Sequence, residues 1–437
     1  MEKFLHKAFF RELRMQKQKV YFKTFGCRTN LFDTQVMINA LKDFTQTPYE
    51  EESDLVIVNS CTVTNGADSG VRNYIHRLQN EGKRIYFTGC GAQTQGQNLL
   101  DKGLVFGVFG HSHKENINAI LKKQESFYLE DDLKGLDSQI LSDFIGKSRA
   151  FIKIQEGCDF ACSYCIIPSV RGKARSFPQE KILTQVQKLT QKGFSEFILT
   201  GTNIGSWGKE FGKDLATLIE SLCAIPALKR LRIGSLEPSQ INEHFLNVLE
   251  NPKVERHLHI ALQHTAPKML KIMNRYNTFK TDLELFTLLA NRGFALGSDF
   301  IVGHPGESEE IWQEAFANFS LLPLTHLHSF IYSPRNHTLS ATLKGRIAGN
   351  LAKQRKQQIE ARVAQNNLIF REKLKAQNKT LCVLIENITT KESNKIAQGF
   401  DEYYNPMQIQ TQTSISKDCW IPIAHFIPKM DKNYAEI

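Results

Sequence analysis

Three cysteines in one short loop are the residues of this chain best suited to chemistry. Cys158, Cys162 and Cys165 follow the spacing C-x3-C-x2-C. Three thiolates this close together can hold three irons of an iron–sulfur cube, because soft sulfur ligands favour such clusters. The loop has no fourth cysteine, so one iron would stay open to a ligand from outside the protein. The spacing leaves open one alternative, a zinc site completed by a distant fourth ligand.

A second group of cysteines follows predicted strands in the first third of the chain. Cys27, Cys61 and Cys90 each stand just past the end of one such strand. Because the carboxyl ends of parallel strands share one edge of a sheet, we expect the three to converge there. The alternative is three buried structural cysteines, since free cysteine is among the most buried residue types. One residue from each of three strands favours a second cluster-binding triad.

The cysteine loop, with Tyr164 directly before its last cysteine, resembles the signature of the radical S-adenosylmethionine (SAM) enzymes. The resemblance implies that the open iron chelates the amino and carboxylate groups of SAM. An electron from the cluster would then cleave SAM to a 5′-deoxyadenosyl radical. The cofactor would supply the difficult chemistry, while the protein positions it and excludes water.

With its N-terminal cysteines, the chain after residue 18 resembles the radical-SAM methylthiotransferases. Three branches of that family modify isopentenyl-adenosine in tRNA, an aspartate of a ribosomal protein, or threonylcarbamoyl-adenosine in tRNA. Residues 25–30 (FGCRTN) and 59–64 (NSCTVT) resemble the third branch. The isopentenyl branch typically has Gln-Met after its first cysteine and an arginine where Thr64 stands. The resemblance therefore favours threonylcarbamoyl-adenosine beside the anticodon as the substrate.

The resemblance also implies a set of cofactors and partners. Two 4Fe–4S clusters would be held by Cys27, Cys61, Cys90, Cys158, Cys162 and Cys165. Tyr164, Arg171, Gly201 and Glu237 would contact SAM. No catalytic residue beyond the cluster ligands is predicted. The anticodon stem-loop of tRNA, a low-potential electron donor and a sulfur source would be the partners.

The sequence departs from the family pattern at two places that would line the pocket for SAM and the substrate. Residues 261–265 read ALQHT where the family usually has Pro-Leu-Gln-Ser-Gly, and His304 stands where it usually has phenylalanine. The histidines at 257, 259, 326 and 328 alternate along two predicted strands, so each pair faces one side. We interpret them as core or rim residues without a catalytic role.

The order of strand-like and helix-like segments predicts an α/β chain. We expect an N-terminal doubly wound parallel-sheet domain, a linker, a central open (β/α)6 radical-SAM partial barrel, a basic helical connector and a small C-terminal TRAM-like β-barrel that helps to bind RNA. The respective boundaries are 19–124, 125–145, 146–345, 346–377 and 378–437. Active sites of such barrels lie at the C-terminal ends of the strands, where the cysteine loop falls.

Composition sets broader limits on the function. The chain has 437 residues, 41% hydrophobic, and a formal net charge of +10, which suits a polyanionic partner such as nucleic acid. No apolar run reaches the ~18 residues that a membrane span needs. The first eighteen residues lack the features of a secretory signal, and Met15 is an alternative start. We expect a cytoplasmic protein.

Two other functions remain open on the sequence. The first is the same chemistry on isopentenyl-adenosine in tRNA or on a ribosomal-protein aspartate. The second belongs to another class, a non-catalytic iron–sulfur protein that binds RNA and uses its clusters for structure or redox sensing. The SAM-type loop weighs against this second alternative.

Overall fold

The computed structural model describes residues 17–62, 65–144, 146–391 and 394–437. Two positions of the branch motif, Val63 and Thr64, and the alternative start Met15 lie outside the described residues. The chain divides into two compact units. The first comprises residues up to Ser142 together with Ile167–Lys173, and the second comprises Asp143–Ile166 together with Ala174–Ile437.

The first unit is a parallel sheet with helices on both faces. Its six strands are β1 (Lys19–Thr24), β2 (Thr45–Gln46), β3 (Leu55–Ser60), β4 (Arg84–Gly89), β5 (Gly107–Phe109) and β6 (Phe127–Leu129). They lie in the order β2-β1-β3-β4-β5-β6, and every neighbouring pair is parallel. The helices are α1 (Arg28–Ala40), α2 (Asn65–Asn80), α3 (Cys90–Asp101), a 3-10 turn at His111–Asn116, α4 (Ile117–Leu121) and α5 (Ile167–Arg171).

Alternate residues of the central strands fill two separate cores. Leu55 and Ile57 of β3 pack on one face of the sheet, while Val56 and Val58 pack on the other. A strand covered on both faces reads as a continuous apolar run, as this one does. The predicted doubly wound domain is confirmed. Strand β6 falls inside the acidic segment predicted as a linker, where only three residues extend the sheet.

The second unit contains six parallel strands in two groups of three. The strands are β7 (Ala150–Lys153), β10 (Glu196–Thr200), β11 (Arg230–Arg232), β12 (His257–His259), β13 (Ala295–Val302) and β14 (His326–Ile331). One group has the order β11-β10-β7 and the other β12-β13-β14. Parallel bridges between Leu231 and Val254 and between Leu236 and Ile260 join the groups. The predicted six-stranded partial barrel is confirmed.

Helices and short turns connect these strands. The helices are α6 (Gln179–Gln191), α7 (Leu215–Cys223), α8 (Glu243–Val248), α9 (Pro267–Ile272), α10 (Phe279–Asn291) and α11 (Glu309–Leu321). The 3-10 turns are Ile204–Ser206, Lys209–Phe211, Pro238–Gln240 and Leu339–Thr342. A small antiparallel pair, β8 (Gln155–Glu156) and β9 (Arg175–Ser176), flanks the segment that carries the cysteine loop.

The tail of the second unit is a long helix followed by a curled sheet. Helix α12 (Gly349–Ala376) leads into β15 (Leu381–Lys391), β16 (Asn394–Phe400), β17 (Pro406–Thr411), β18 (Trp420–Ile423), β19 (Ile427–Pro428) and β20 (Asn433–Glu436). The order β18-β15-β16-β17-β20-β19 forms a half-barrel around an apolar core. Among the described helices, none combines the length and apolarity that crossing a bilayer requires.

Candidate functional site

The structure brings Cys27, Cys61 and Cys90 together at the carboxyl edge of the N-terminal sheet. Cys27 precedes α1, Cys61 follows β3, and Cys90 begins α3. Cys61 and Cys90 are buried, whereas Cys27 is exposed. Burial raises the pKa of the Cys90 thiol to about 12; the charge of Arg171 opposes this rise, and the thiols of Cys27 and Cys61 add to it. The three thiols are therefore close enough to interact electrostatically.

Two glycines make room for this convergence. Gly26 and Gly89 have φ values of +102° and +89°, a region that favours glycine. A Cβ added at Gly26 would lie 2.9 Å from Sγ of Cys61, and one at Gly89 would lie 2.4 Å from the Ser60 carbonyl oxygen. The loops that carry the cysteines thus approach each other more closely than any other residue type allows.

Asn30 ties the first two cysteine loops together. Its buried Nδ2 donates to the carbonyl oxygens of Phe25 and Ser60, each at 3.0 Å. Asn59 donates in turn to the Asn30 carbonyl at 2.8 Å. Buried amide hydrogen bonds of this kind fix loop geometry because leaving their partners unpaired costs about 1–3 kcal/mol each.

Arg171 reaches the same triad from α5. Its Nε donates to Sγ of Cys90 at 3.2 Å, and its Nη2 donates to Asn30 Oδ1 at 2.6 Å and to Asp33 at 3.0 Å. The side chain is fully buried within the first unit. The sequence predicts a contact with SAM for this arginine; the structure shows its guanidinium hydrogen-bonded to a cysteine sulfur and a buried carboxylate.

The loop with Cys158, Cys162 and Cys165 lies in the second unit, and all three thiols are half-buried. Other parts of the chain fix its backbone. Ser163 donates through its amide to the Met273 carbonyl at 3.0 Å and through Oγ to the Ile272 carbonyl at 2.9 Å. Such bonds hold the loop without occupying any sulfur.

The two family departures turn out to belong to buried hydrogen-bond networks. His304 contacts Oγ of Ser340 at 2.8 Å, and that hydroxyl lies 2.8 Å from Oγ of Ser163 in the cysteine loop. His264 contacts Glu307 at 3.2 Å, and Glu307 accepts from Arg355 at 2.8 Å. The histidine at 304 therefore braces the cysteine loop where phenylalanine could not.

A cleft beside Cys162 contains one of the predicted SAM contacts, Glu237. Phe160, Cys162, Glu237, Arg275 and Tyr276 are among its lining residues. Arg275 forms an ion pair with Glu237 at 2.5 Å, and its Nη1 lies 3.8 Å from Sγ of Cys162. This arginine belongs to no recognisable motif, so sequence reasoning missed it.

Tyr164 lies within the same group of charges. Burial raises the pKa of its phenol well above the ordinary value; the thiols of Cys162 and Cys165 and the carboxylate of Glu237 add to this rise, whereas Arg275 opposes it. A phenol held protonated in this way is a hydrogen-bond donor beside the cysteine loop.

Gly201, which is predicted to contact SAM, lies close to the backbone of a neighbouring segment. A Cβ there would lie 2.7 Å from the carbonyl oxygen of Gln155. The neighbouring residues reach the cysteine loop: Asn203 hydrogen-bonds Cys158, and Thr202 donates to the Gly157 carbonyl. The side chains after Gly201 therefore contact the loop.

Both cysteine sets suit iron–sulfur clusters by the chemistry of their donors. Each offers three sulfurs, and among the described residues neither set has a fourth cysteine that would close a structural zinc site. A thiol whose pKa is raised by burial becomes a thiolate when a metal binds it, because the metal replaces the proton.

Comparison with known proteins identifies the family. Residues 19–110 match the model described as "Uncharacterized protein family UPF0004", and residues 152–317 match the Radical SAM superfamily. A Helicobacter pylori (strain J99) protein, provisionally named a methylthiotransferase, is 50% identical over 420 residues, covering 96% of this chain and 99% of its own. The chain belongs to the radical-SAM methylthiotransferase family.

Two further relatives have more specific names. The threonylcarbamoyladenosine tRNA methylthiotransferase MtaB of Aquifex aeolicus is 32% identical and covers 84% of this chain and 93% of its own. The tRNA-2-methylthio-N(6)-dimethylallyladenosine synthase of Fervidobacterium nodosum is also 32% identical, and the match covers 74% of this chain and 77% of its own.

A solved structure shares the fold. The radical SAM methyltransferase TsrM from Kitasatospora setae matches with a TM-score of 0.55 at 15% identity, over 75% of this chain and 77% of that chain. Enzymes of the radical-SAM methylthiotransferase family use SAM and 4Fe–4S clusters, so the predicted cofactors are confirmed.

Proposed function

We propose that this methylthiotransferase adds a methylthio group to C2 of N6-threonylcarbamoyladenosine beside the anticodon of tRNA. The observation that carries this choice is the match to the Aquifex aeolicus enzyme. The Aquifex aeolicus enzyme and the Fervidobacterium nodosum synthase have the same sequence identity to this chain, but the match to the Aquifex aeolicus enzyme covers more of both chains. The residues around Cys27 and Cys61 support the same branch. A tRNA substrate also favours a cytoplasmic enzyme.

The two triads divide the work in this proposal. Cys158, Cys162 and Cys165 would hold a cluster that supplies the electron for SAM cleavage, and Cys27, Cys61 and Cys90 would hold a cluster that supplies the chemistry of sulfur insertion. The clusters and SAM supply radical chemistry, which suits an unactivated aromatic C–H that has no easy acid or nucleophile route. The low-potential electron donor and the sulfur source are required partners of this scheme.

The chain's own residues would bind and orient SAM in the cleft beside Cys162. Arg275 holds Glu237 in place in that cleft through its ion pair, and Tyr164 offers a protonated phenol beside the cysteine loop. Thr202 and Asn203, which follow Gly201, fix the start of the cysteine loop. No protein general base is required, so no further catalytic residue is proposed.

The tail would contribute to tRNA binding through a smaller set of cations than the sequence indicates. Arg355 and Arg371 of α12 are buried and bond to Glu307 and Asn433, so they stabilise the fold. The exposed cations Lys353, Arg362, Lys373 and Lys375 remain available for phosphate contacts. Together with the C-terminal half-barrel, they form the RNA-binding surface we propose.

Nucleoside analysis of tRNA from a deletion strain tests the substrate. We expect the methylthio form of threonylcarbamoyladenosine to disappear and threonylcarbamoyladenosine without the methylthio group to accumulate. The wild-type gene should restore it, as should Cys382→Ser, which changes an exposed cysteine outside both triads. Cys162→Ala should not restore it.

Three other outcomes would contradict the proposal. Loss of the methylthio group from dimethylallyl-adenosine would favour the activity named for the Fervidobacterium nodosum relative. An unchanged nucleoside profile would exclude both tRNA substrates and favour a ribosomal-protein aspartate. If SAM is not cleaved to 5′-deoxyadenosine on reduction, the non-catalytic alternative gains support.

A further inference from the structure

Three potential metal ligands converge inside the second unit, apart from all six triad cysteines. They are Nε2 of His259 on β12, Oδ1 of Asp299 on β13 and Nδ1 of His328 on β14. Asp299 Oδ1 lies 3.1 Å from the His259 nitrogen and 3.3 Å from the His328 nitrogen. All three atoms lie within 4.8 Å of one another.

The register of the barrel strands explains this convergence. Asp299 pairs directly with His328 across β13 and β14, and His259 pairs with Gly297, two residues before Asp299. Residues two apart on a strand face the same side. Three neighbouring strands therefore place one ligand each on one face of the barrel.

Gly297 creates the space that the imidazoles occupy. A Cβ at this position would lie 2.7 Å from Nδ1 of His259 and 3.2 Å from Cβ of His326. The rings of His259 and His328 then approach to 4.6 Å between centroids. A larger residue at 297 would push the histidines away from Asp299.

The nitrogen that faces Asp299 from β12 lacks a hydrogen bond. His259 is 8% exposed, and within the described part of the chain its Nε2 has no hydrogen-bond partner. Asp299 Oδ1, 3.1 Å away, is the carboxylate oxygen that this nitrogen faces. A bound ion would give this buried nitrogen a bonding partner.

We propose that His259, Asp299 and His328 bind one divalent transition-metal ion of the zinc class. Ligand atoms about 2.0–2.2 Å from such an ion lie about 3.0–3.6 Å apart, which agrees with the two separations to Asp299. Two imidazoles and one carboxylate select Zn²⁺, Fe²⁺ or a neighbouring ion over Mg²⁺ and Ca²⁺, which prefer oxygen ligands.

The site is open to solvent on one side. The His328 side chain is 63% exposed, which gives the ion a path of entry. Three protein ligands leave further coordination positions free, as in catalytic metal sites. Ser235 contacts Oδ2 of Asp299 at 3.4 Å and lies two residues from Glu237 of the SAM cleft. An ion here would offer its open positions to an anionic or hydroxyl group of a molecule bound in the barrel.

Zinc binding to the cluster-loaded protein tests this site. The holoprotein is equilibrated by dialysis with Zn²⁺ alone at micromolar free concentration, and zinc per chain is measured by mass spectrometry. We expect about one zinc per chain in the wild type and an affinity at least 100-fold lower in Asp299→Asn and in His328→Gln. The second variant changes an exposed side chain, so it separates ligand loss from misfolding.

His244→Ala is the matched control. This surface histidine lies 2.9 Å from Asp214 and 3.2 Å from Glu220, but through opposite ring nitrogens, so the three cannot share one ion. It should keep the wild-type affinity. X-ray absorption at the zinc edge should show nitrogen and oxygen neighbours at about 2.0–2.1 Å without sulfur at about 2.3 Å.

Three results would overturn the proposal. They are no zinc in the wild type, equal zinc in the wild type and in Asp299→Asn, or sulfur ligands in the absorption spectrum. Sulfur ligands would place the zinc in a cysteine triad. None of these results depends on which substrate the enzyme modifies.

Discussion

The two cysteine triads are built in opposite ways. One set lies within the short segment Cys158–Cys165, so its closeness follows from the chain itself. The other, Cys27, Cys61 and Cys90, comes from the ends of three strands and exists only when the parallel sheet has formed. The first triad is thus local and the second depends on tertiary structure.

Their surroundings differ as well. Cys61 and Cys90 are buried, and a buried arginine donates to Cys90 at 3.2 Å. The three loop cysteines are half-buried beside a cleft, and Arg275 comes only within 3.8 Å of Cys162. The loop triad suits a cluster that meets a small molecule in the cleft, whereas the N-terminal triad suits a cluster held by protein at Cys61 and Cys90 and open to solvent at Cys27.

The two triads should differ most in iron content when a larger residue replaces the glycine next to Cys27. In Gly26→Ala the new Cβ would lie 2.4 Å from Cβ of Cys61, so the N-terminal triad cannot close. We expect iron to fall from about eight to about four per chain, with the loop cluster retained. Iron and sulfide analysis after anaerobic reconstitution measures this.

Gly82→Ala is the control for backbone strain. Gly82 also has a positive φ, +69°, but nothing lies within 4 Å of an added Cβ. It should keep the full iron content. If both variants lose the same amount of iron, strain alone explains the loss and the crowding at Cys61 is not the cause.

The two arginines should affect the two clusters unequally. Arg171→Gln removes a buried charge and the donor to Cys90, so it should lower the reduction potential of the N-terminal cluster, because hydrogen bonds to sulfur and local charge set that potential. Arg275→Gln should shift the loop cluster less. Redox titration followed by electron paramagnetic resonance, in variants that lack the other triad, measures each shift.

Arg171→Lys sharpens this test because it keeps the charge but cannot reproduce the arginine's several donors. We expect the reduction potential of the N-terminal cluster in this variant to lie between the potentials of the wild type and of Arg171→Gln. A potential that is the same in all three proteins would show that Arg171 acts on the fold alone.

The smallest effect should come from removing the hydrogen bond between His304 and Ser340, which supports the cysteine loop. His304→Phe removes the contact with Ser340 and should lower the free energy of unfolding by about 1 kcal/mol without changing the iron content. Chemical denaturation of the apoprotein measures it. Because Ser340→Ala breaks the same link, the double variant should lose little more than either single one; additive losses would show that the two residues act separately.

The sequence was sufficient to predict both cysteine triads and the fold that carries them. Local spacing identified the loop triad, and the rule that parallel strands share an edge predicted that Cys27, Cys61 and Cys90 would meet. Strand β6 was missed because three residues in an acidic segment give too little periodicity.

Side-chain contacts between distant parts of the chain could not be predicted in this way. Arg171 stands six residues after Cys165, yet α5 packs within the first unit and brings the guanidinium to Cys90. Alternation predicted that His259 and His328 each face one side of a strand. Their meeting at Asp299 depends on the register of three strands, which the sequence does not specify.

The most direct test of the two-triad account is the iron and sulfide content of anaerobically reconstituted protein. The wild type should be compared with the Cys158→Ala/Cys162→Ala/Cys165→Ala variant and with the corresponding N-terminal triple variant. The account predicts about eight irons and eight sulfides in the wild type and about four of each in either variant. Because an ion at His259 would add iron or zinc without sulfide, sulfide is the decisive count. About four sulfides in the wild type and none in the loop variant would contradict the account and leave the N-terminal cysteines with a structural role.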